Sequence, residues 1–183
     1  MSGLPLVQPE NASGEAAALL DATQQALGLT PNLAKAMANS PAALRGFLDL
    51  RRALGAGEVP APVRESIALL VAQEHGCDYC LSWHTYTGTR LLGLSRDQTR
   101  RAREGEAEDP VTAAALSLSR SLVRRQGALT DTELAAARGS GLTGGQITEV
   151  VAHVALNILT TYVARTARVA VDWPLVRHDE ARA

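Results

Sequence analysis

The chain has 183 residues and a formal net charge of −1, with no block of like charges. This length suits one compact domain, and the charge balance argues against nucleic acid as an obligate partner. Apolar residues make up 46% of the chain and aromatic residues only 3%, so the core must consist mainly of Ala, Leu and Val. We therefore expect closely packed helices, because Ala and Leu are good helix formers.

The predicted elements are helices from end to end, because the alternating β-branched and aromatic segments typical of strands are nearly absent. Three helix starts show a capping box, in which Ser or Thr is followed three residues later by Gln or Glu. We predict about eight helices, for which the sequence offers nine candidate segments. They are 13–26, a short one after Pro31, 41–55, Pro62 to His75, Cys77 to Gly93, and those behind Ser95, Asp109, Thr130 and Thr143, the last ending near Ala170.

No linker or low-complexity segment divides the chain. We predict a flexible N-terminal segment over 1–12, one helical domain over 13–173 and a loose tail over 174–183. Residues 59–79 and 142–162 echo each other, since each gives a turn, a long apolar helix with an acid near its start, and then a Tyr. The domain could thus derive from two degenerate repeats, of which only the first contains cysteines.

The start of the chain shows no basic segment followed by an apolar stretch, so we expect no signal peptide. The longest apolar runs fall short of the ~20 residues needed to cross a bilayer. We predict a cytoplasmic protein without a membrane partner. Both cysteines lie in one Cys-x-x-Cys motif, and cytosolic disulfides are seldom structural, so redox or metal chemistry is the question that the motif raises.

Cys77 and Cys80 lie three residues apart at a predicted helix start and share one helix face. Free N–H groups and the helix dipole at that end favour a thiolate. The dipole contributes about 0.3–1 kcal/mol, which is less than one pKa unit, so a second source of activation is needed. His84, one turn beyond Cys80, is the candidate, either as a general base or as an imidazolium partner.

Glu65 is the third candidate residue. If the helices on either side of Gly76 form an antiparallel hairpin, Glu65 lies eleven residues before that turn and His84 eight residues after it. At ~1.5 Å per residue, the mismatch is about 4–5 Å. A carboxylate at that position could orient His84 and relay its proton.

Glu65, eleven intervening residues and the motif Cys77-x-x-Cys80-x-x-x-His84 resemble the signature of the alkylhydroperoxidase AhpD family, within the wider carboxymuconolactone decarboxylase-like group. The resemblance extends over about 31–174. The residues near its end resemble the peroxidase-related branch of that family, namely Asn157, Tyr162 and the Asp-Trp-Pro sequence at 172–174. The resemblance implies an all-α, AhpD-like helical bundle that forms a homo-oligomer.

The same resemblance implies a thiol-dependent hydroperoxide reductase, an antioxidant enzyme of peroxiredoxin type that needs no cofactor or metal. Cys80 would attack the peroxide, Cys77 would resolve the product as a disulfide, and His84 and Glu65 would relay the proton. An external dithiol or a lipoyl-bearing protein would restore the thiols. Well-studied members often place a His immediately before the second cysteine, where this chain has Tyr79.

Two other functions remain open. A decarboxylase-like lyase, as the wider group's name implies, would need cationic residues around a carboxylate-bearing ligand and no cysteines. A non-enzymatic, zinc-stabilised binding module could use His75, Cys77, Cys80 and His84 as ligands, although a single helical turn rarely surrounds a metal.

Several further residues are expected to have structural roles. His153, four residues after Glu149, is predicted to be a core histidine with its hydrogen bonds satisfied. Tyr79 and Trp83 are predicted to form walls of the site, and Ser82 to lie on the surface. The Arg-rich segments, including 51–52, are predicted to be solvated helix faces.

Overall fold

The structure is a computed structural model that describes residues 3–180. Within that range it contains nine α-helices, one short 3-10 helix over Pro9–Asn11 and no strand, which confirms the predicted all-α class. The helices are α1 Gly14–Leu27, α2 Asn32–Met37, α3 Pro41–Gly55, α4 Ala61–Glu74, α5 Asp78–Arg90, α6 Arg96–Arg103, α7 Pro110–Arg124, α8 Asp131–Gly139 and α9 Gly144–Ala167.

The helix starts follow the local sequence signals. Ser95, Thr130 and Thr143 each accept a hydrogen bond from the backbone N–H three residues later, and the Gln or Glu at that position returns a bond to the cap. Such reciprocal bonds satisfy N–H groups that the first helical turn leaves without partners. At the end of α1, Gly28 adopts a left-handed conformation with a φ of 75°, as is common at helix C-termini.

Helices α4 and α9 form the centre of the bundle. α4 packs against α5, α6, α7 and α9, and it is buried almost all round, as its run of apolar residues from Ile67 to Ala72 requires. α9 packs against α2, α3, α4, α5 and α7. Each of these two helices is therefore fixed in position by contacts with several others.

By length and composition, α9 is long and apolar enough to cross a membrane, and it is the one such helix among residues 3–180. Half of its apolar window is buried inside the fold, and Val150 and Val154 lie in the core. The apolar character of α9 is thus explained by its central position in the bundle.

Both end segments, as far as the structure describes them, lie on the helical body. Val7 donates its N–H to the carbonyl of Lys35. The hydrogen bonds that hold the C-terminal segment include Gln73 Nε2 to the His178 carbonyl, Arg103 Nη2 to the Arg177 carbonyl, and the Val176 N–H to Ser82 Oγ. Residues 174–180 are therefore not the loose tail that the sequence predicts, and Ser82, expected at the surface, is buried beneath them.

A candidate thiol active site

The two thiols lie at the start of α5, where Gly76, with a φ of 61°, lets the chain turn sharply from α4. Cys77 is the N-cap residue of α5, and its Sγ accepts the N–H of Cys80 at 3.3 Å. The two Sγ atoms are 2.8 Å apart, which is too long for a disulfide bond of about 2.05 Å. The pair is therefore a reduced, hydrogen-bonded dithiol, and each cysteine is only 2% exposed.

This hydrogen bond makes the two thiols unequal. When Cys77 ionises, its thiolate accepts a hydrogen bond from the Cys80 thiol, which lowers the pKa of Cys77 to about 7 against the effect of burial. The Cys80 N–H and the nearby charge of His84 lower it further. The same bond, together with burial and the charge on Cys77, raises the pKa of Cys80 well above its ordinary value. The first ionisation thus places the negative charge on Cys77, whereas the sequence predicts Cys80 as the activated thiol.

Glu65 and His84 are brought together across the α4–α5 hairpin, as the residue count from the turn predicts. His84 Nδ1 lies 2.5 Å from Oε2 of Glu65, and both side chains are mostly buried. A carboxylate in this position fixes the orientation of the imidazole ring and stabilises the imidazolium form when a proton arrives. The charge of His84 contributes to the lowered pKa of Cys77, which places the pair next to the dithiol electrostatically.

An aromatic wall covers the same region. Trp83 stacks on His84 at 5.2 Å between ring centroids and on Trp173 at 5.4 Å, and Tyr79 meets Trp173 edge to face. Tyr79 donates its hydroxyl hydrogen to Asp172 at 2.7 Å, and burial raises the pKa of this phenol. Tyr79 and Trp83 are packing residues, as predicted, but their partner Trp173 comes from the far end of the chain and was not anticipated as part of the site.

A cavity of about 610 Å³ opens beside this wall and is lined by residues from α1, α3, α4, α5 and α9. Glu65, Trp83, His84 and Thr160 are among its lining residues, whereas the cysteines are not. Thr161, next to it in the chain, donates its hydroxyl hydrogen to Sγ of Cys80 at 3.5 Å. The Thr160 hydroxyl donates to the carbonyl of Asn157 at 2.9 Å and also acts to lower the pKa of Cys80. The end of the cavity at Thr160 is therefore next to the residues that contact Cys80.

Arginine side chains give this cavity a cationic rim. Arg51, Arg52 and Arg64 line it, although Arg51 and Arg52 are predicted from the sequence to lie on a solvated face. Arg51 and Arg52 are both exposed, as expected, but they lie at the mouth of the cavity. No local sequence signal distinguishes an arginine at a cavity mouth from one on an open helix face.

Glu149 and His153, the second acid–histidine pair in the sequence, have different surroundings. Glu149 accepts the N–H groups of Glu58 and Val59, each at 2.9 Å, just before the start of α4. His153 is 5% exposed and lines the cavity, and its Nε2 has no hydrogen-bond partner in the described part of the chain. The predicted core position of His153 is confirmed, but the prediction that its hydrogen bonds are satisfied is wrong for Nε2.

The residues proposed above as zinc ligands do not form a ligand set. No group of three or more His, Cys, Asp or Glu side chains within residues 3–180 is arranged to hold a metal ion. The ring of His75 contacts Tyr162 edge to face, and His84 is committed to Glu65. The geometry of these side chains thus favours thiol chemistry over a zinc-stabilised module.

The fold and the site together define an AhpD-like helical protein with a buried dithiol. Among solved structures, this chain is similar to the alkylhydroperoxidase AhpD core of an uncharacterized peroxidase-related protein from Ralstonia eutropha JMP134. The two chains are 19% identical, the alignment covers 93% of this chain and 92% of that one, and the TM-score is 0.82. An uncharacterized peroxidase-related protein from Silicibacter sp. TM1040 is 21% identical over 92% and 91% of the two chains, with a TM-score of 0.78.

The debrominase Bmp8 has the same fold, with 19% identity over 91% of this chain and 90% of that one and a TM-score of 0.75. Residues 41–121 of this chain match the model of the Carboxymuconolactone decarboxylase family, and this stretch contains Glu65, Cys77, Cys80 and His84. No match is found among curated proteins. The resemblance to the AhpD-like and carboxymuconolactone decarboxylase-like family is confirmed.

Proposed function

We propose that this protein is a thiol-dependent hydroperoxide reductase that uses the Cys77–Cys80 pair. The observation that carries the proposal is the 2.8 Å contact between two reduced, buried thiols, one of which has a pKa of about 7. A pKa near neutrality leaves a large fraction of the pair ionised at pH 7, and the thiolate is the form of cysteine that reacts with peroxides.

The first step is ionisation of the pair, in which one proton passes to the Glu65–His84 pair. The cavity approaches the dithiol at Thr160, next to Cys80, so a hydroperoxide meets Cys80 first. Transfer of the shared proton from Cys80 to Cys77 makes Cys80 the nucleophile. Its sulfur attacks the distal oxygen, the O–O bond breaks, and the leaving alkoxide takes the proton held by His84. The products are an alcohol and a sulfenic acid on Cys80.

The second step is resolution of that sulfenic acid. The Cys77 thiol attacks the oxidised sulfur, water leaves, and the Cys77–Cys80 disulfide remains. The net change is the conversion of two thiols and a hydroperoxide into a disulfide, an alcohol and water. We propose that an external dithiol, such as a lipoyl group on a protein, restores the thiols by exchange.

A stoichiometric oxidation tests this proposal. Reduced protein treated with one equivalent of a hydroperoxide should lose both free thiols, and its mass should fall by two hydrogens. Recovery of the original mass after addition of dihydrolipoamide would complete the cycle. Unchanged thiols, or a sulfinic acid as the only product, would rule out a resolving pair. The lyase alternative requires neither thiol, so a lyase would retain its activity when both cysteines are replaced by Ser.

Reductive dehalogenation is a second candidate function, since the same two electrons can serve it. The debrominase Bmp8 shares the fold, and a cysteine-to-alanine variant of Bmp8 is known in complex with 2,3,4-tribromopyrrole. A cavity of about 610 Å³ beside Trp83 has room for such a ring. An aryl bromide and two thiols would give the debrominated ring, bromide, a proton and the disulfide. Release of bromide from tribromopyrrole would favour this reaction over peroxide reduction.

We further propose that the protein assembles with copies of itself. Val151, Leu159 and Tyr162 are exposed, and their spacing places them on one face of α9. Exposed apolar faces of this kind are typical of subunit interfaces. Light scattering at micromolar concentration should show a homo-oligomer, and a Leu159→Glu variant should shift it to smaller species. A strict monomer in both cases would contradict this assembly.

A further inference from the structure

Two arginines that line the cavity have no carboxylate partner. Arg51 makes no hydrogen bond or ion pair within residues 3–180, and Arg64 donates only Nη1, to the carbonyl of Val59 at 2.7 Å. Arg52 differs, because its Nη2 lies 3.5 Å from Oδ1 of Asp49. The charge of Glu65 acts on Arg51, but this carboxylate is engaged with His84. The charge of Arg64 acts on Glu149, which is engaged with two backbone N–H groups. The cavity therefore contains two guanidinium groups whose charge is not balanced by a paired acid.

His153 adds a third unsatisfied group to the same cavity. A buried polar atom without a partner is energetically unfavourable, so such atoms commonly mark a place where a ligand or water binds. Burial, together with the charge of Arg64, lowers the pKa of His153, so this ring is neutral at pH 7 and carries one N–H. Arg64 and His153 thus lie near each other and both can donate to one anionic group.

The remaining surface of the cavity is mostly apolar. Leu19, Phe47, Leu48 and Leu156 form much of its wall, and its volume of about 610 Å³ is typical of sites for small organic molecules. Hydrogen peroxide would leave most of this space empty. An apolar body would fill the cavity and displace water from the wall.

We infer that the cavity selects an organic hydroperoxide that carries a carboxylate at the other end of an apolar chain. The carboxylate binds Arg51, Arg64 and His153, and the peroxide end reaches Thr160 beside Cys80. The identity of the reacting end rests on the function proposed above, whereas the carboxylate site rests on the three unsatisfied groups alone.

The spacing along α9 sets the length of this substrate. His153 and Thr160 both line the cavity and are seven residues apart, which corresponds to about 10 Å at ~1.5 Å per residue. A medium-length chain spans that distance between its carboxylate and its peroxide oxygens. A short acid such as acetate would reach only one end.

Binding can be measured without any thiol chemistry in a protein that carries Cys77→Ser and Cys80→Ser. The chain has two tryptophans, and Trp83, which stacks on Trp173, lines the cavity, so intrinsic fluorescence reports occupancy. Decanoate should bind about 10-fold more tightly than 1-decanol. Arg51→Gln and Arg64→Gln should each remove about 10-fold of the affinity for decanoate and leave that for decanol unchanged.

Arg52→Gln is the matched control, because Arg52 lies next to Arg51 in the sequence and is paired with Asp49; its effect should stay below about twofold. Because Arg51 is exposed and unpaired, its replacement leaves the fold intact. Equal affinities for decanoate and decanol, or an equal loss in the Arg51→Gln and Arg52→Gln proteins, would overturn the inference.

Turnover by the wild-type protein separates this inference from the proposed function. KM for 10-hydroperoxydecanoate should be about 10-fold lower than KM for its methyl ester, and Arg51→Gln should abolish that difference. If no hydroperoxide is consumed while the binding pattern holds, the peroxidase proposal fails and the carboxylate site stands. If both peroxides turn over equally well in wild type and variant, the peroxidase proposal stands and the carboxylate site fails.

Discussion

The molecule contains two acid–histidine pairs whose geometries differ completely. Glu65 and His84 come from different helices and are in contact at 2.5 Å. Glu149 and His153 lie one turn apart on α9, a spacing that favours contact, yet the acid binds the backbone before α4 and the histidine Nε2 has no partner among residues 3–180. Sequence spacing alone therefore does not decide whether an acid and a histidine form a pair.

The difference follows from what else competes for each carboxylate. Two backbone N–H groups near the start of α4 lie within reach of Glu149, and a charged acceptor at a helix N-terminus is favourable. Burial acts to raise the pKa of Glu149, but these bonds outweigh it and lower the pKa overall. Glu65 lies inside α4, where the backbone N–H groups already have partners, so its carboxylate is available for His84.

The largest expected effect distinguishes Cys80 from Cys77, the two thiols beside the Glu65–His84 pair. Cys80→Ser should reduce turnover of hydroperoxide by at least about 1,000-fold, because the attacking sulfur is lost. Cys77→Ser should consume one equivalent and then stop at a sulfenic acid on Cys80, which dimedone traps and mass spectrometry detects. The reverse pattern, with the sulfenic acid formed only in Cys80→Ser, would assign the attack to Cys77.

The next effect distinguishes the two pairs directly, through the pH dependence of thiol alkylation. In wild type, the rate of reaction with iodoacetamide should rise as pH passes through about 7, the pKa of Cys77. His84→Ala removes a positive charge that lowers this pKa, so the profile should move to higher pH and the rate at pH 6.5 should fall by about 10-fold. The rate should recover at high pH.

Glu65→Gln should move the profile in the same direction but less, since Glu65 acts through His84. Glu149→Gln is the matched control, because it makes the same change in the other acid–histidine pair, and it should leave the alkylation profile in place. Superimposable profiles for wild type and His84→Ala would remove His84 from the activation of the thiols.

A smaller effect concerns the free energy of unfolding, for which Glu149 is the acid that should matter. Glu149→Gln weakens two hydrogen bonds to backbone N–H groups and should lower the free energy of unfolding by about 1 kcal/mol. Because folding lowers the pKa of Glu149, this contribution is complete above the pKa of the unfolded state and is lost as pH falls through the folded pKa. Urea unfolding should therefore show a larger difference between wild type and variant at pH 7 than at pH 3.

Much of the fold could be predicted because its signals are local. A capping box needs only Ser95 and Gln98, and the contact between Glu65 and His84 follows from counting residues on either side of Gly76. The order of ionisation in the dithiol could not be predicted, because it depends on which sulfur is the N-cap and which one donates.

Long-range packing explains the other differences between prediction and structure. Trp173 and Asp172 contact the thiol helix from 90 or more residues away, and no periodicity connects them to Tyr79 or Trp83. Arg52 pairs with Asp49 three residues earlier on the same helix, which is a local contact, whereas the position of Arg51 at the cavity depends on residues from other helices. The packing of neighbouring helices therefore decides where Trp173 and Arg51 lie, and the sequence pattern does not show it.

The smallest expected effect concerns His178 in the C-terminal segment, which contacts Asp78 between the two cysteines. His178 donates its N–H to Oδ1 of Asp78 at 2.9 Å, and its Nδ1 lies 2.7 Å from the same oxygen. Burial acts to raise the pKa of Asp78, but the bonds from His178 outweigh it and lower the pKa.

His178→Ala removes the ring and keeps the backbone bond. Because both side chains are substantially exposed, the loss of unfolding free energy should stay below about 1 kcal/mol at pH 6 and shrink further in 0.5 M salt, a concentration that screens such pairs within roughly 5 Å. Asp179→Ala, in the same exposed segment, is the matched control and should show no salt-dependent loss. The lowered pKa of Asp78 means that the contribution of this pair is present above the unfolded pKa of the acid and disappears as pH falls through the folded one. The ring of His178 also lies against Gly76, where an added Cβ would meet it at 3.3 Å. An equal loss at pH 6 and pH 2, or a loss that salt leaves unchanged, would show that His178 acts through this packing and not through its charge.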